Sequence, residues 1–460
     1  MGCFSRGSAG RWGSAALSVV LGAVSAGPLL ALPDGVTGYE TIPLGILDGY
    51  NQSSVSALDE YARVVGSVGN PTPPLLGTIW INGVLYPLPA LPGATRPSAN
   101  YISSTSGLIG GGMLVGDRGQ GALWKLGRGV ALLENYQGGW CSVQGVNDAG
   151  WASGSCGVVG TVPVAWVRAG SPFLLGHLGG GGAGGANGIN ELNEIVGSST
   201  NAARVSRPFL WRDGVMIDIG SADPADESSA ASINNNSEVI GIDDRYRNWG
   251  FLWRDGERIY LPEAYPCDFP PRARGLNDRG IVVGTSASDG CGKARATVFD
   301  MNKMEAWIVD EHLHGEWGDF VFYEVNDVNN AGQMAMSGEY PDERPQAYLT
   351  TPYRFNLSRP APGRAGEVNA IRVTNLDPGQ QVHLVWGTGP GALRIRDDCD
   401  GATVLIHDAK TVRTPVFADA DGVAVFTLRV NPDAAGRTFR LQAIAADECQ
   451  ISHTVTWTFE

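Results

Sequence analysis

His312 and His314 stand one residue apart, flanked by Glu311 and Glu316. On a strand both imidazoles would share a face, as a metal site requires. No H-E-x-x-H and no C-x-x-C pair accompanies them, so two solvated or stacked histidines are expected instead. Asp419-Ala420-Asp421-Gly422 offers oxygens to calcium. It lacks the remaining ligand spacing of a calcium loop and reads as a hairpin turn. Asp243-Asp244 and Asp397-Asp398 are of the type used in glycosidase acid–base chemistry. Adjacent carboxylates on a strand or turn point apart, which favours a solvated surface. The run Gly179 to Gly185 satisfies G-x-G-x-x-G trivially, inside a repeat of strands, and does not read as a nucleotide loop. Gly292-Lys293 is followed by Ala294, so there is no Walker loop, and no G-x-S-x-G elbow occurs. No catalytic residue and no cofactor is expected; calcium lacks support.

The chain has 460 residues, 43% hydrophobic and 17% charged, which excludes a disordered protein. Its net charge is −14, which argues against nucleic acid and anionic membranes as partners. Residues 1–26 read as a secretory signal: Arg6 and Arg11, an apolar run from Ala15 to Ala26, and Val24-Ser25-Ala26 as the cleavage site before Gly27. Ala31 is a second cleavage option. The expected location is secreted, extracellular or at the cell surface, with no membrane span in the mature chain. Of seven cysteines, Cys3 leaves with the signal, so Cys141, Cys156, Cys267, Cys291, Cys399 and Cys449 remain. In an exported chain they read as disulfides.

The 64 glycines fit many tight turns between short strands. One phrase recurs, clearest as Ile189-Asn190-Glu191-Leu192-Asn193-Glu194-Ile195-Val196-Gly197. Its anchors are 59, 103, 147, 190, 234, 277 and 329, spaced 44, 44, 43, 44, 43 and 52. The second copy is taken to end at Gly110, and the seventh has Met336 where Gly is expected. About 20 residues after each anchor lies a second phrase, such as Phe209-Leu210-Trp211-Arg212-Asp213-Gly214. Asp-Gly or Asn-Gly after an apolar run is a hairpin signal. Four short strands in ~40 to 45 residues make a propeller blade. Trp on the third strand suits the layer between blades, and small residues on the first suit the axis. The expected fold is all-β: a seven-bladed β-propeller over 37–352, with the strand 39–45 completing the blade that contains 346–350.

These phrases resemble the extracellular HAF-repeat family, named for a His-Ala-Phe tripeptide. Here the tripeptide is altered to Arg207-Pro208-Phe209, Trp249-Gly250-Phe251, Gly121-Ala122-Leu123 and Gln346-Ala347-Tyr348. The resemblance implies secretion and a repeat fold, and supplies no reaction and no catalytic residues. After a linker at 353–367, alternating strands over 368–460 resemble an immunoglobulin- or fibronectin-type β-sandwich, flexibly joined.

The repeat register also constrains the cysteines. Across the first hairpin of a repeat, facing residues lie at positions that sum to about 3, counted from the anchor. Cys141 lies six before Asn147 and Cys156 nine after; Cys267 lies ten before Asn277 and Cys291 fourteen after. Each pair is expected to bond, leaving Cys399 with Cys449. For function, a non-enzymatic binding or scaffold module with an extracellular glycan or protein partner is favoured. The alternative is a hydrolase or lyase acting on an extracellular polysaccharide at one mouth of the propeller.

Overall fold

Where Asn82-Gly83, Asp213-Gly214 and Asp255-Gly256 end an apolar run, both residues of each pair take positive φ: 47° and 85°, 51° and 84°, 52° and 88°. That is the geometry matching the twist of a two-residue hairpin, and it explains why glycine follows each time. The structure, a computed structural model, describes residues 35–70, 75–157, 160–244, 248–266, 270–287, 294–315, 317–339, 343–395, 403–412 and 414–460. The expected signal segment, Cys267, Cys291, Glu316, Asp397-Asp398 and Cys399 lie outside these residues.

Among the described residues, six four-stranded antiparallel sheets follow one another, built from the chain between 52 and 308. A seventh is made of Val321–Val328, Met334–Glu339 and Gln346–Tyr353, with Gly38–Pro43 as its fourth strand. The register there is Thr41 opposite Thr350, Ile42 opposite Leu349 and Pro43 opposite Tyr348. The chain is an all-β protein with a β-propeller. Trp80, Trp124 and Trp166 are buried as expected, in clusters that draw on adjacent sheets.

Each sheet has a β-bulge on its first strand, three residues before the anchor: Ser56, Asn100, Gln144, Asn187, Ala231, Arg274 and Asn326. The extra residue pushes the backbone toward the second strand, where the recurrent glycine sits. A Cβ on Gly66, Gly154, Gly197, Gly241 or Gly284 would meet a first-strand carbonyl oxygen at 1.9–2.2 Å. In the second sheet the residue opposite Ala99 is Gly111, not Gly110 as the phrase suggested. Its turn is one residue longer, closing from Ser103 to Leu108. Met336 occupies the glycine position in the seventh sheet, where the first strand carries an additional bulge at Tyr323.

Beyond Tyr353 three further sheets are described; one is the pair Pro390–Arg394 and Thr403–Ile406, and the other two share an apolar cluster. Of those two, one contains Asn356–Leu357, Val368–Thr374 and Ala424–Arg429; the other is centred on Gln381–Gly387 and Thr438–Ala445. Their facing sides share one apolar cluster that includes Ile371, Val373, Phe426, Leu384 and Ala443. Residues 353–367, expected as a linker, are tied into this region. Phe355 is fully buried there, Leu357 pairs with Val373, and Ala361 bridges Ala370. Apolar Phe355 and Leu357 supply the burial that a free linker lacks.

The contact with the propeller is also closer than a flexible joint would give. Ala392 and Leu405 enter the cluster of Ile42, Leu44, Trp80 and Leu349. Gln333 Nε2 donates to Thr403 Oγ1 at 2.8 Å within buried surroundings. The Arg394 guanidinium lies 4.0 Å from the Tyr61 ring centre.

Candidate functional site

The anchor residues meet at one end of the propeller axis. Each anchor Asn folds its own turn: Asn234 Oδ1 accepts from the backbone N–H of Asn236 and Glu238, and Asn190 and Asn329 do the same in theirs. The same amide reaches the next sheet. Nδ2 of Asn147, Asn190, Asn234 and Asn277 donates to the carbonyl of the next anchor, and Asn329 Nδ2 to that of Asp59, at 2.9–3.1 Å. Asn is therefore needed rather than Asp: one oxygen makes the turn and the amide nitrogen joins the blades. Asp59 and Ser103 lack that donor. Between these two sheets the backbone N–H of Glu60 bonds to Ser104 O instead, at 3.0 Å.

The next position along is Glu60, Ser104, Asp148, Glu191, Asn235, Asp278 and Asn330. Every one carries a side-chain oxygen. The backbone N–H of Asp148 donates to Glu191, Glu191 to Asn235, Asn235 to Asp278, Asp278 to Asn330 and Asn330 to Glu60, at 2.7–3.2 Å. Thr105 and Ser106 donate to Asp148. The relay visits all seven sheets and returns to its start. This column is readable in the sequence once the anchors are aligned, but its mixed residue types hide it from a search for one repeated letter.

Inside the relay lies a small polar cavity, about 60 Å³, lined by Glu60, Tyr101, Ser104, Glu191, Asp278 and Asp327 among others. That is about two water volumes. Two positions before the anchor, Gly145, Gly188 and Gly275 let neighbouring first strands approach closely, a Cβ on Gly275 meeting Asp327 Cα at 2.7 Å, while Tyr101 and Asp327 line the cavity. Burial raises Glu60 to about 8, against a hydrogen bond from Asn330, with the carboxylates of Asp278, Asp59 and Asp327 adding to it. Burial likewise raises Asp327 to about 7 and Asp59 to about 6, the latter opposed by Arg63. Burial and the same carboxylates push the Tyr101 hydroxyl up. Asp148 goes the other way: burial opposes its charge, but hydrogen bonds from Thr105 and Ser106 outweigh that and hold it low. The mouth can thus hold protons at neutral pH and presents oxygen to a small polar or cationic group.

The histidines are arranged differently from the strand expected. Val309–His312 is a short 3-10 helix within the long spacing, so His312 and His314 do not share a strand face. Val309 is the buried residue of that helix. His314 stacks on His453 with ring centres 4.0 Å apart, and Tyr353 packs edge-on to both. Burial pushes all three histidines down, His453 to about 4 with the help of neighbouring His314. His312 Nε2 is buried without a hydrogen-bond partner among the described residues. Close by, Thr454 and Arg440 engage the buried Glu40 carboxylate. Among the described residues no three His, Cys, Asp or Glu gather as metal ligands.

Cys141 faces Cys156 across the first hairpin of the third sheet and bonds to it, as the register requires. Cys449 is disulfide-bonded, its partner lying outside the described residues. Asp419 Oδ1 accepts from the N–H of Asp421 and Val423, the turn expected of it. Asp243 is bound inside by Arg258 and Tyr260. Gly179–Ile189 is itself the first strand of the fourth sheet.

No known family profile matches the chain, nor does any curated protein. Solved structures similar to it include a prolyl endopeptidase, TM-score 0.43 at 9% identity, covering 74% of this chain and 56% of that one. A putative TolB from Agrobacterium tumefaciens aligns with TM-score 0.37 at 12% identity, over 59% of this chain and 94% of that one. YCF48 bound to a D1 peptide aligns with TM-score 0.41 at 10% identity, over 70% and 99%. This chain thus spans just over half the length of the endopeptidase. At such values neither activity nor ligand transfers.

Proposed function

We propose that this chain is a secreted or cell-surface protein of the HAF-repeat kind, acting as a non-enzymatic binding or scaffold module. In this reading its repeats close into a seven-bladed ring followed by an immunoglobulin-like sandwich. The observation that carries it is the relay at the axis. The carboxylates and amides that acid–base chemistry would need are committed to backbone donors of the neighbouring sheet. The cavity they enclose is about 60 Å³, too small for a sugar ring to enter between two catalytic carboxylates. Export is supported by the Cys141–Cys156 disulfide and the apolar leader. No helix among the described residues is long and apolar enough to cross a membrane.

A glycan and polysaccharide array, scored for both binding and product release, tests this reading. Saturable binding without product is the expected result. Release of shortened or unsaturated saccharide would establish the hydrolase or lyase alternative, with Glu60 and Asp327 as the first residues to replace.

A further inference from the structure

The two larger sheets of the C-terminal region do not close on each other along their whole length. At one end they leave an apolar cavity of about 310 Å³. Ile371 and Leu428 form one wall, Leu384, Trp386 and Leu441 the other, and Phe459 closes the side. The cavity opens to solvent where Arg429 and Asn431 are exposed, and its volume reaches the lower end of small-ligand sites. Its polar wall offers little. Asn369 is fully buried, and its amide is spent on Gly363, Arg364 and Glu367 backbone groups. What remains is aliphatic and aromatic surface, with Trp386 and Phe439 edge to face at 5.5 Å.

One cation lines this apolar space, and two more lie against aromatic rings of its wall. Arg429 lines it directly. Lys410 Nζ stands 5.1 Å from the Trp386 ring centre and the Arg437 guanidinium 5.4 Å from that of Phe439. All three are exposed, and none has a carboxylate partner among the described residues. Glu367 and Glu460, on adjoining segments, are both faced by Arg364. In a chain of net charge −14, the three unpaired cations put positive charge beside an apolar cavity whose own lining holds no carboxylate.

We propose that this cavity binds a single-chain anionic amphiphile of the fatty-acid class. The alkyl chain lies between the sheets against Leu384, Leu428 and Leu441, and the carboxylate sits at the rim beside Arg429. The apolar walls supply the burial of the chain, and the guanidinium selects the head group by a charge-assisted hydrogen bond. The inference is independent of any ligand at the propeller axis.

The full-length protein is titrated with dodecanoate and, separately, with dodecyltrimethylammonium, below their micellar concentrations. Calorimetry and tryptophan fluorescence read the binding. Dodecanoate is expected to saturate at one per chain and to bind about tenfold or more tightly than the cation. Arg429→Glu, an exposed change that should leave the fold intact, is expected to erase that preference, and Arg429→Lys to keep most of it. Val430→Trp, which fills the rim, is expected to abolish binding while the melting temperature holds. Non-saturating uptake, equal affinity for both head groups, or dodecanoate binding unchanged in Arg429→Glu and Val430→Trp would each overturn the proposal.

Discussion

A methyl group on Gly197 would lie 2.0 Å from the carbonyl oxygen of Gly185. The oxygen belongs to a paired strand and cannot move without breaking its ladder. Gly197→Ala should therefore cost about 2 to 3 kcal/mol, read as a lower urea midpoint. The glycine column was legible because it repeats; its cause was not, since the bulge opposite it leaves no mark in composition. The amide of each anchor Asn was legible as a turn former, but its reach into the next sheet was not, because the partner is a backbone carbonyl 43 to 270 residues away. The axial carboxylates carry a pH signature. Glu60, Asp327 and Asp59 are raised by burial to about 8, 7 and 6, so the folded state favours their protonated forms. Their contribution is complete below about pH 4 and is lost as pH rises through those values. Glu60→Gln should flatten the stability curve between pH 5 and 8. His453 has the opposite sign: held down to about 4, it costs stability as pH falls from 6.5 toward 4. A denaturant series across pH 4 to 8 should show wild type losing stability as pH rises, with His453 opposing part of the gain toward acid, and a shallower slope in Glu60→Gln.

At the scale of strands and turns, the hairpin that joins Cys141 to Cys156 was fully readable, because anchor spacing fixes which residues face each other. The bond closes a loop of about 15 residues, worth on the order of 3 kcal/mol in the chain-entropy model. Replacing both cysteines by Ala should lower stability by no more than that, since the ladder already sets the register. Peptide mapping of non-reduced protein should also recover Cys267 with Cys291 and Cys399 with Cys449. A peptide joining a propeller cysteine to Cys449 would break the register argument. The short helix before His312 escaped the sequence because four residues give too little pattern to distinguish it from a strand end. The segment 353–367 escaped for a different reason: its Pro and Gly masked the two apolar residues, Phe355 and Leu357, that anchor it.

For the whole molecule, the pairing of Gly38–Pro43 with Gln346–Tyr353 was legible, because the two ends hold complementary fractions of one repeat. The attachment of the C-terminal sheets was not, since Gln333, Thr403 and Glu40 look like surface residues until their partners are known. Removing residues 1–43 should leave the Leu349 strand as an open edge, and light scattering should then find larger species than for the intact protein. A monomeric product with an unchanged melting temperature would count against closure by this strand. The pairing of Thr41 with Thr350 also has a consequence in time. The strand that seals the last sheet is synthesised first and finds its place last, some 309 residues later. Against a 15-residue hairpin, closing so long a loop costs only about 2 to 3 kcal/mol more, so the finished fold tolerates it. The delay is another matter. Until position 350 has emerged, each nascent chain carries a loose sealing strand and then a vacant berth for one. Where chains are crowded, a neighbour's strand can arrive first, and exchanged dimers become the characteristic by-product of fast expression.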